Sequence, residues 1–345
     1  MKQFRLSIIG FGTVGQGLAE LLVSKQDMLS ANYDFEVVLV GVANARSGLI
    51  YREDGLDIPL LLELAANRRP LQEHPKVKHW DTALEGIEAI GQWGDILAEV
   101  TGTNLRDAEP GISHIRAALS RGMHVITANK GPGALAAAEL FALAQEHGVQ
   151  LRMESTVMAG TPVLSTIRGG MAGVHVTAIR GILNGTTNYI LSAMAAGRSY
   201  SEVLTEAQAQ GYAEADPTAD VEGYDAVAKT LILASLVFGQ SLRLEQVVRQ
   251  GITTITQEQM QRAIDSGKRI KLIAALTQKE GILEAQVEPV ELPLSDPLAC
   301  VDGVMNAITI SSDSLVEVTV IGPGAGRLVT GQGLLADLIA IAQSK

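Results

Sequence analysis

The stretch "GYAEADPTADVEGYDAVAKTLILASLVFG", residues 211–239, places five carboxylates ahead of one lysine at the mouth of a long apolar run. Pro217 and Gly223 break regular structure in its first part, whereas "DAVAKTLILASLVF" has helical apolar spacing. Asp225 and Lys229 then stand four apart, on one face of a helix entering a core. As surface decoration such a pair adds only about 0.2–0.5 kcal/mol. The competing reading is acid–base chemistry. Partial burial lowers a lysine pKa and a nearby carboxylate raises it, so the ammonium can be tuned toward a proton donor. Glu214, Asp220 and Asp225 around Lys229 would have affinity for an amino group, which suits a zwitterionic substrate better than a dianion.

Such residues need elements to position them, and the chain opens on a recognisable one. "FRLSIIGFGTVGQGLAELLVSKQ" reads as a buried strand, a glycine turn and a helix, the dinucleotide-binding arrangement in its required context. Gly10 permits the tight turn, Gly12 lets a pyrophosphate approach the backbone, and Gly15 allows close helix-to-strand packing; Phe11, Thr13 and Val14 complete the turn. A second strand, "FEVVLVGVAN", should end near Asn44. NAD enzymes usually carry an acid there, so the missing acid and the nearby Arg46 favour NADP, although Arg46 also reads as a solvated loop residue. "WGDILAEVTGTN" and "GMHVITANK" look like further parallel strands. Their carboxyl ends offer Thr101, Gly102, Thr103, Asn104, Asn129 and Lys130 to the nicotinamide side, with helix capping as the alternative for the threonines and asparagines. Lys130 follows an apolar strand, where a charge is costly unless exposed or paired.

The 345 residues are 47% hydrophobic, enough for two domains with sizeable cores. The expected fold is α/β. A Rossmann dinucleotide-binding domain over residues 1–150 precedes an α+β domain with a mixed sheet over 151–318, and a segment from 319 to 345 returns to the first domain. A formal net charge of −11 argues against a nucleic-acid partner. Apolar runs are too short to cross a bilayer and no secretory leader opens the chain, so no membrane is expected and the address is cytoplasmic. The single cysteine, Cys300, leaves neither a disulfide framework nor a cysteine metal site.

Together "GFGTVG", "TANKGP", "ESTVMAGTPV", "GILNGTTNYIL", "GYAEADPTADVEGYDAVAK" and "GPGAG…VTGQGLLADLI" resemble homoserine dehydrogenase over essentially the whole chain. The resemblance implies NAD(P)H-dependent reduction of L-aspartate 4-semialdehyde to L-homoserine; the missing acid and Arg46 make NADP the preferred cofactor, with NAD the alternative. It implies Lys229 as acid/base catalyst, Lys130 as a second lysine near the nicotinamide, and Asp225 and Glu214 as substrate contacts, joined by Asp220, Gly185, Thr186 and Tyr212. Gly211 and Gly322 join the cofactor contacts. It further implies a sodium ion at Glu154, Val157, Ala159 and Thr161, and a homodimer. Two departures stand out: the chain ends after its last helix, without the regulatory extension of some members, and glycine and proline follow Lys130. Another two-domain Rossmann amino-acid or semialdehyde dehydrogenase is the nearest alternative; a non-catalytic nucleotide sensor is the alternative from another class.

Overall fold

The computed structural model describes residues 1–45, 48–91 and 93–344. It divides into two compact units, Met1–Gly160 with Gly326–Lys345, and Thr161–Ala325. The first junction falls later than residue 150 because the short strand that follows still pairs with the first unit's sheet.

In unit 1 the order is β1 (Lys2–Ile9), α1 (Thr13–Ser24), α2 (Gln26–Tyr33), β2 (Phe35–Asn44), β3 (Gly48–Tyr51), α3 (Ile58–Ala66), β4 (Lys78–Trp80) and α4 (Ala83–Ile90). There follow β5 (Ile96–Glu99), α5 (Gly111–Ser120), β6 (His124–Thr127), α6 (Lys130–Glu146), β7 (Leu151–Arg152) and α7 (Ser155–Met158). The sheet runs β4-β3-β2-β1-β5-β6-β7. β2, β1, β5, β6 and β7 are parallel, and β3 and β4 form an antiparallel edge. β2 and β5 flank β1 on opposite sides, so the strand order reverses there, and in such sheets ligands lie at the carboxyl ends beside the reversal. β2 ends at Asn44, as its sequence predicts. The sixth helix starts at Lys130 and carries Pro132 in its first turn, where N–H groups lack intrahelical partners.

Unit 2 contains β8 (Val176–Ile182), α8 (Gly185–Ala195), α9 (Tyr200–Ala209), α10 (Thr218–Val221), α11 (Tyr224–Phe238), β9 (Val247–Arg249) and α12 (Gln257–Asp265). β10 (Lys268–Lys279), β11 (Ile282–Pro293), β12 (Met305–Ser312) and β13 (Val316–Pro323) complete it. Its sheet, β13-β12-β8-β10-β11-β9, is mixed: the last pair is parallel and the others antiparallel. α8, α11 and α12 pack on it. Ile182, Ile273 and Ala307 from three strands close a core with Leu298 and Val301. The segment from Asp216 to Gly223, expected as loop, contains the helical turn α10, because Pro217 can precede a helix although it cannot continue one. α11 is bounded by Gly223 and Gly239, both left-handed.

The chain then returns to unit 1 as α13 (Arg327–Ala342), whose Leu334, Leu335, Leu338 and Ile341 join Leu6, Ile8 and Leu18 in that unit's core. No helix among the described residues is long and apolar enough to cross a membrane.

Candidate active site

Both units carry chemically capable residues. In unit 1, β1 ends at Ile9 and the chain turns at Gly10, whose φ of +105° is closed to most side chains. A Cβ there would also stand 2.5 Å from the Val100 carbonyl oxygen. At buried Gly15 a Cβ would collide with the Gly10 carbonyl oxygen and come within 3.1 Å of Ile8 Cγ2, so helix and strand approach as closely as backbone allows. Gly12, the N-cap of α1, is the opposite case, because a Cβ there would meet nothing within 4 Å. Gly12 and Thr13 are exposed, Val14 is half-buried, and Phe11 turns inward to the core. The N-terminus of the twelve-residue α1 therefore opens onto unfilled space, with unpaired backbone N–H groups suited to a pyrophosphate. A dinucleotide fits these residues.

At the ends of β5 and β6, Thr101, Thr103, Asn129 and Lys130 come together. Asn129 Nδ2 donates to Thr101 Oγ1 at 3.2 Å, and the Lys130 N–H reaches Thr103 Oγ1 at 3.4 Å. Asn129 caps α6, its Oδ1 accepting from Gly131 N at 3.1 Å, so capping and site-building coincide. Gly102 is exposed, and Asn104 donates to Asp107 Oδ1 at 2.5 Å, which fixes the following turn. Arg46 lies outside the described residues; Asn44 is half-buried at the end of β2.

In unit 2, Lys229 is 7% exposed. Its Nζ stands 2.8 Å from Asp225 Oδ2, one helical turn earlier, and donates to the Leu183 carbonyl oxygen at 2.5 Å. Asn184 Nδ2 donates to both Asp220 Oδ1 (2.7 Å) and Asp225 Oδ2 (3.0 Å), joining two carboxylates that would otherwise repel. Burial pushes the Asp220 carboxyl above the ordinary aspartate range; the Asp225 charge adds to this, while the Asn184 hydrogen bond and the Lys229 charge oppose it. Gly185 opens α8 directly after Asn184, and Thr186 donates to the Tyr212 carbonyl oxygen at 2.6 Å. Glu214 is exposed, and among the described residues its carboxylate forms no ion pair. The structure thus joins Asp220, Asp225 and Lys229 by direct contacts or through Asn184; the exposed Glu214 carboxylate makes no contact with them among the described residues. Gly211 turns the chain after α9 with φ +75°, and Gly322 packs against Thr161.

Glu154 is buried, its backbone N–H donating to Asp337 Oδ2 at 2.8 Å; Val157 and Ala159 are also buried, Ala159 with φ +50°. Thr161 donates to the Pro323 carbonyl oxygen at 2.9 Å. Among the described residues no group of three or more His, Cys, Asp or Glu side chains could hold a metal.

Asn184, Glu99 and His114 are missing from the sequence reading. Glu99 closes an otherwise apolar buried strand and His114 lies within the apolar pattern of a helix, and both are signals of a polar group held inside. Asn184 reads only as a helix cap, which it also is, accepting from Thr187 N at 2.9 Å.

A glycine-turn Rossmann unit and a second unit with a buried lysine between carboxylates define a dinucleotide-dependent oxidoreductase. Family models match residues 10–154 as the NAD-binding domain of homoserine dehydrogenase and residues 162–339 as homoserine dehydrogenase. The chain belongs to the homoserine dehydrogenase family. It is 41% identical to the "NAD(+)-dependent homoserine dehydrogenase" of Pseudomonas canavaninivorans, covering 100% of this chain and 97% of the relative. Identity to the homoserine dehydrogenase of Methanocaldococcus jannaschii is 38%, covering 98% of each. A solved hyperthermophilic archaeal homoserine dehydrogenase mutant in complex with NADPH superposes with a TM-score of 0.84 at 30% identity, covering 98% of this chain and 97% of that one. One from Thiobacillus denitrificans gives 0.84 at 32%, covering 99% of this chain and 74% of that one.

Proposed function

We propose that the chain interconverts L-homoserine and L-aspartate 4-semialdehyde with Lys229 as the proton carrier. The observation that carries this reading is the Lys229 ammonium, buried, with two of its three N–H groups committed to Asp225 and the Leu183 carbonyl. No third acceptor meets it among the described residues, so the remaining N–H can serve an oxygen of a bound molecule. A nicotinamide cofactor supplies or accepts the hydride when bound. In reduction Lys229 stabilises and protonates the oxygen that becomes the hydroxyl; in oxidation it takes that proton back. Asp220, Asp225 and Glu214 bind the substrate's ammonium, and Gly185, Thr186 and Tyr212 shape the same site. Gly10 to Gly15, Thr101 to Thr103, Lys130, Gly211 and Gly322 bind the cofactor.

The test is homoserine oxidation followed at the nicotinamide absorbance band. Lys229→Ala should lower kcat by about 10²–10⁴, the usual worth of a general acid–base group, with cofactor affinity by fluorescence titration unchanged. A kcat near the parent's removes Lys229 from the mechanism. Glu214→Gln should raise KM for homoserine about tenfold through loss of a charge-assisted contact, with kcat little altered.

The cofactor preference has support on both sides. The neutral Asn44 at the end of β2 favours NADP, whereas the Pseudomonas canavaninivorans relative is named for NAD(+). The ratio of kcat/KM for NADP and NAD decides it, and Arg46→Ala should weaken NADP alone if Arg46 reads the 2′-phosphate. The reading also includes a sodium ion at Glu154, Val157, Ala159 and Thr161, tested by activity in sodium against choline salts. It includes a homodimer, tested by light scattering.

A further inference from the structure

In unit 1, three donors and the His114 imidazole converge on one carboxylate that the chemistry above does not use. Glu99 is 0% exposed. Its Oε1 accepts from the Thr101 backbone N–H at 3.3 Å and from the Thr101 hydroxyl, and lies 3.4 Å from Nδ1 of His114, itself 6% exposed. Its Oε2 accepts from Asn129 Nδ2 at 3.0 Å. α5 begins at Gly111, where a Cβ would stand 3.3 Å from Glu99 Oε2 and 2.6 Å from Asn129 Nδ2, so the positive end of that ten-residue helix abuts the carboxylate. The Glu99 carbonyl accepts in turn from Thr127 Oγ1 at 2.7 Å, and Thr127 Oγ1 accepts from Asn129 N at 2.9 Å.

A carboxylate accepts at both oxygens and donates at neither, which this ring of donors demands. Glutamine would turn an N–H toward at least one of them and leave buried donors unmatched. Apart from His114 on α5, what Glu99 holds leads to residues at the strand ends: Thr101 directly, and Lys130 through Asn129, which caps the helix that Lys130 begins.

We propose that Glu99, supported by His114, is a positioning residue for the nicotinamide end of the cofactor site, acting through Thr101 and Asn129. This rests on the reading that the ends of β5 and β6 hold the nicotinamide. Protein-fluorescence titration with NADH and with NADPH, without substrate, reads it directly. For Glu99→Gln the dissociation constant of the cofactor that the parent prefers should rise about tenfold, as expected for unmatched buried donors. In turnover, kcat should fall while KM for homoserine stays within about twofold, because the substrate contacts are elsewhere.

Thr101→Ser, which keeps the hydroxyl, should bind like the parent, and Thr101→Val, which keeps the volume, should not. If Glu99 acts through Thr101, the double variant Glu99→Gln/Thr101→Val should lose no more than about twofold beyond Thr101→Val alone. Parent-like affinity in Glu99→Gln, or fully additive losses, would overturn the proposal. Should Glu99→Gln fail to fold, the Thr101 pair still decides: a parent-like Thr101→Val refutes it. The titrations contain no homoserine, so a parent that binds cofactor without oxidising homoserine would refute the reaction and leave this proposal readable.

Discussion

Asp220 carries two demands that oppose each other. Its carboxyl is pushed above the ordinary aspartate range by burial, so the folded protein holds that proton more tightly than the unfolded chain does. The sign follows from linkage: its contribution to stability is fully present below the unfolded pKa and is lost as pH rises through the raised folded one. Asparagine would keep an acceptor for Asn184 Nδ2 and remove the charge. Asp220→Asn should therefore gain thermal stability relative to the parent near about pH 8, with less gain near about pH 3, below the unfolded aspartate pKa. KM for homoserine should rise in the same variant, because an acid proposed to bind the substrate's ammonium has been given up. Thermal melts at the two pH values check the first expectation; a variant no more stable at the higher pH than at the lower would contradict it.

Two element contacts carry consequences of comparable size. α1 meets β1 at Gly15, where an added Cβ has no room against the Gly10 carbonyl. Gly15→Ala should cost about 1–3 kcal/mol of stability through overpacking and weaken cofactor binding, read by chemical denaturation and by titration. In unit 2, Lys271 is 2% exposed and ties β10 to α8 and to the turn after Leu298. Its Nζ donates to Val301 O (2.6 Å), Asn188 Oδ1 (3.1 Å), Ser192 Oγ (3.3 Å) and Asp302 Oδ1 (2.9 Å). Lys271→Ala would leave buried Asn188 Oδ1 without its donor, while the Val301 carbonyl keeps Asn188 Nδ2 and exposed Asp302 turns to solvent, and should destabilise by about 1–3 kcal/mol, with kcat nearly unchanged in the folded fraction. The contrast between the two contacts shows what sequence can reveal. Gly10, Gly12 and Gly15 act within one strand-turn-helix, so spacing alone assigns them their roles, and Asp225 with Lys229 is one helical turn. Asn184 meets Asp225 across 41 positions and Glu99 meets Asn129 across 30, pairings that only the assembled sheets create. Asp216 to Gly223 reads as loop because Pro217 and Gly223 break regular structure there, and the single helical turn between them is too short to leave a periodic pattern.

At the scale of the molecule, unit 1 is built from two separated pieces of chain, with unit 2 between them. Leu334, Leu335 and Leu338 of α13 are 0% exposed, each worth about 1.5–3 kcal/mol of burial. Their sum rivals the whole stability of a typical domain, about 5–15 kcal/mol. Removal of residues 326–345 should abolish cofactor binding and the cooperative melt of unit 1 while unit 2, contiguous from Thr161 to Ala325, keeps its own hydrogen-exchange protection. The same layout reverses the usual order of events on the ribosome, where amino-terminal domains ordinarily fold first. Unit 2 has all its residues before unit 1 does, and at about 5–20 residues per second the first 160 wait roughly 10–30 s for their last helix. During that interval the face of α1 that α13 will cover is apolar and open to chaperones. Nascent chains stalled before Gly326 clears the exit tunnel should yield a protease-resistant unit 2 and a digestible amino-terminal half. Resistance of both would mean that the first 160 residues fold without their closing helix.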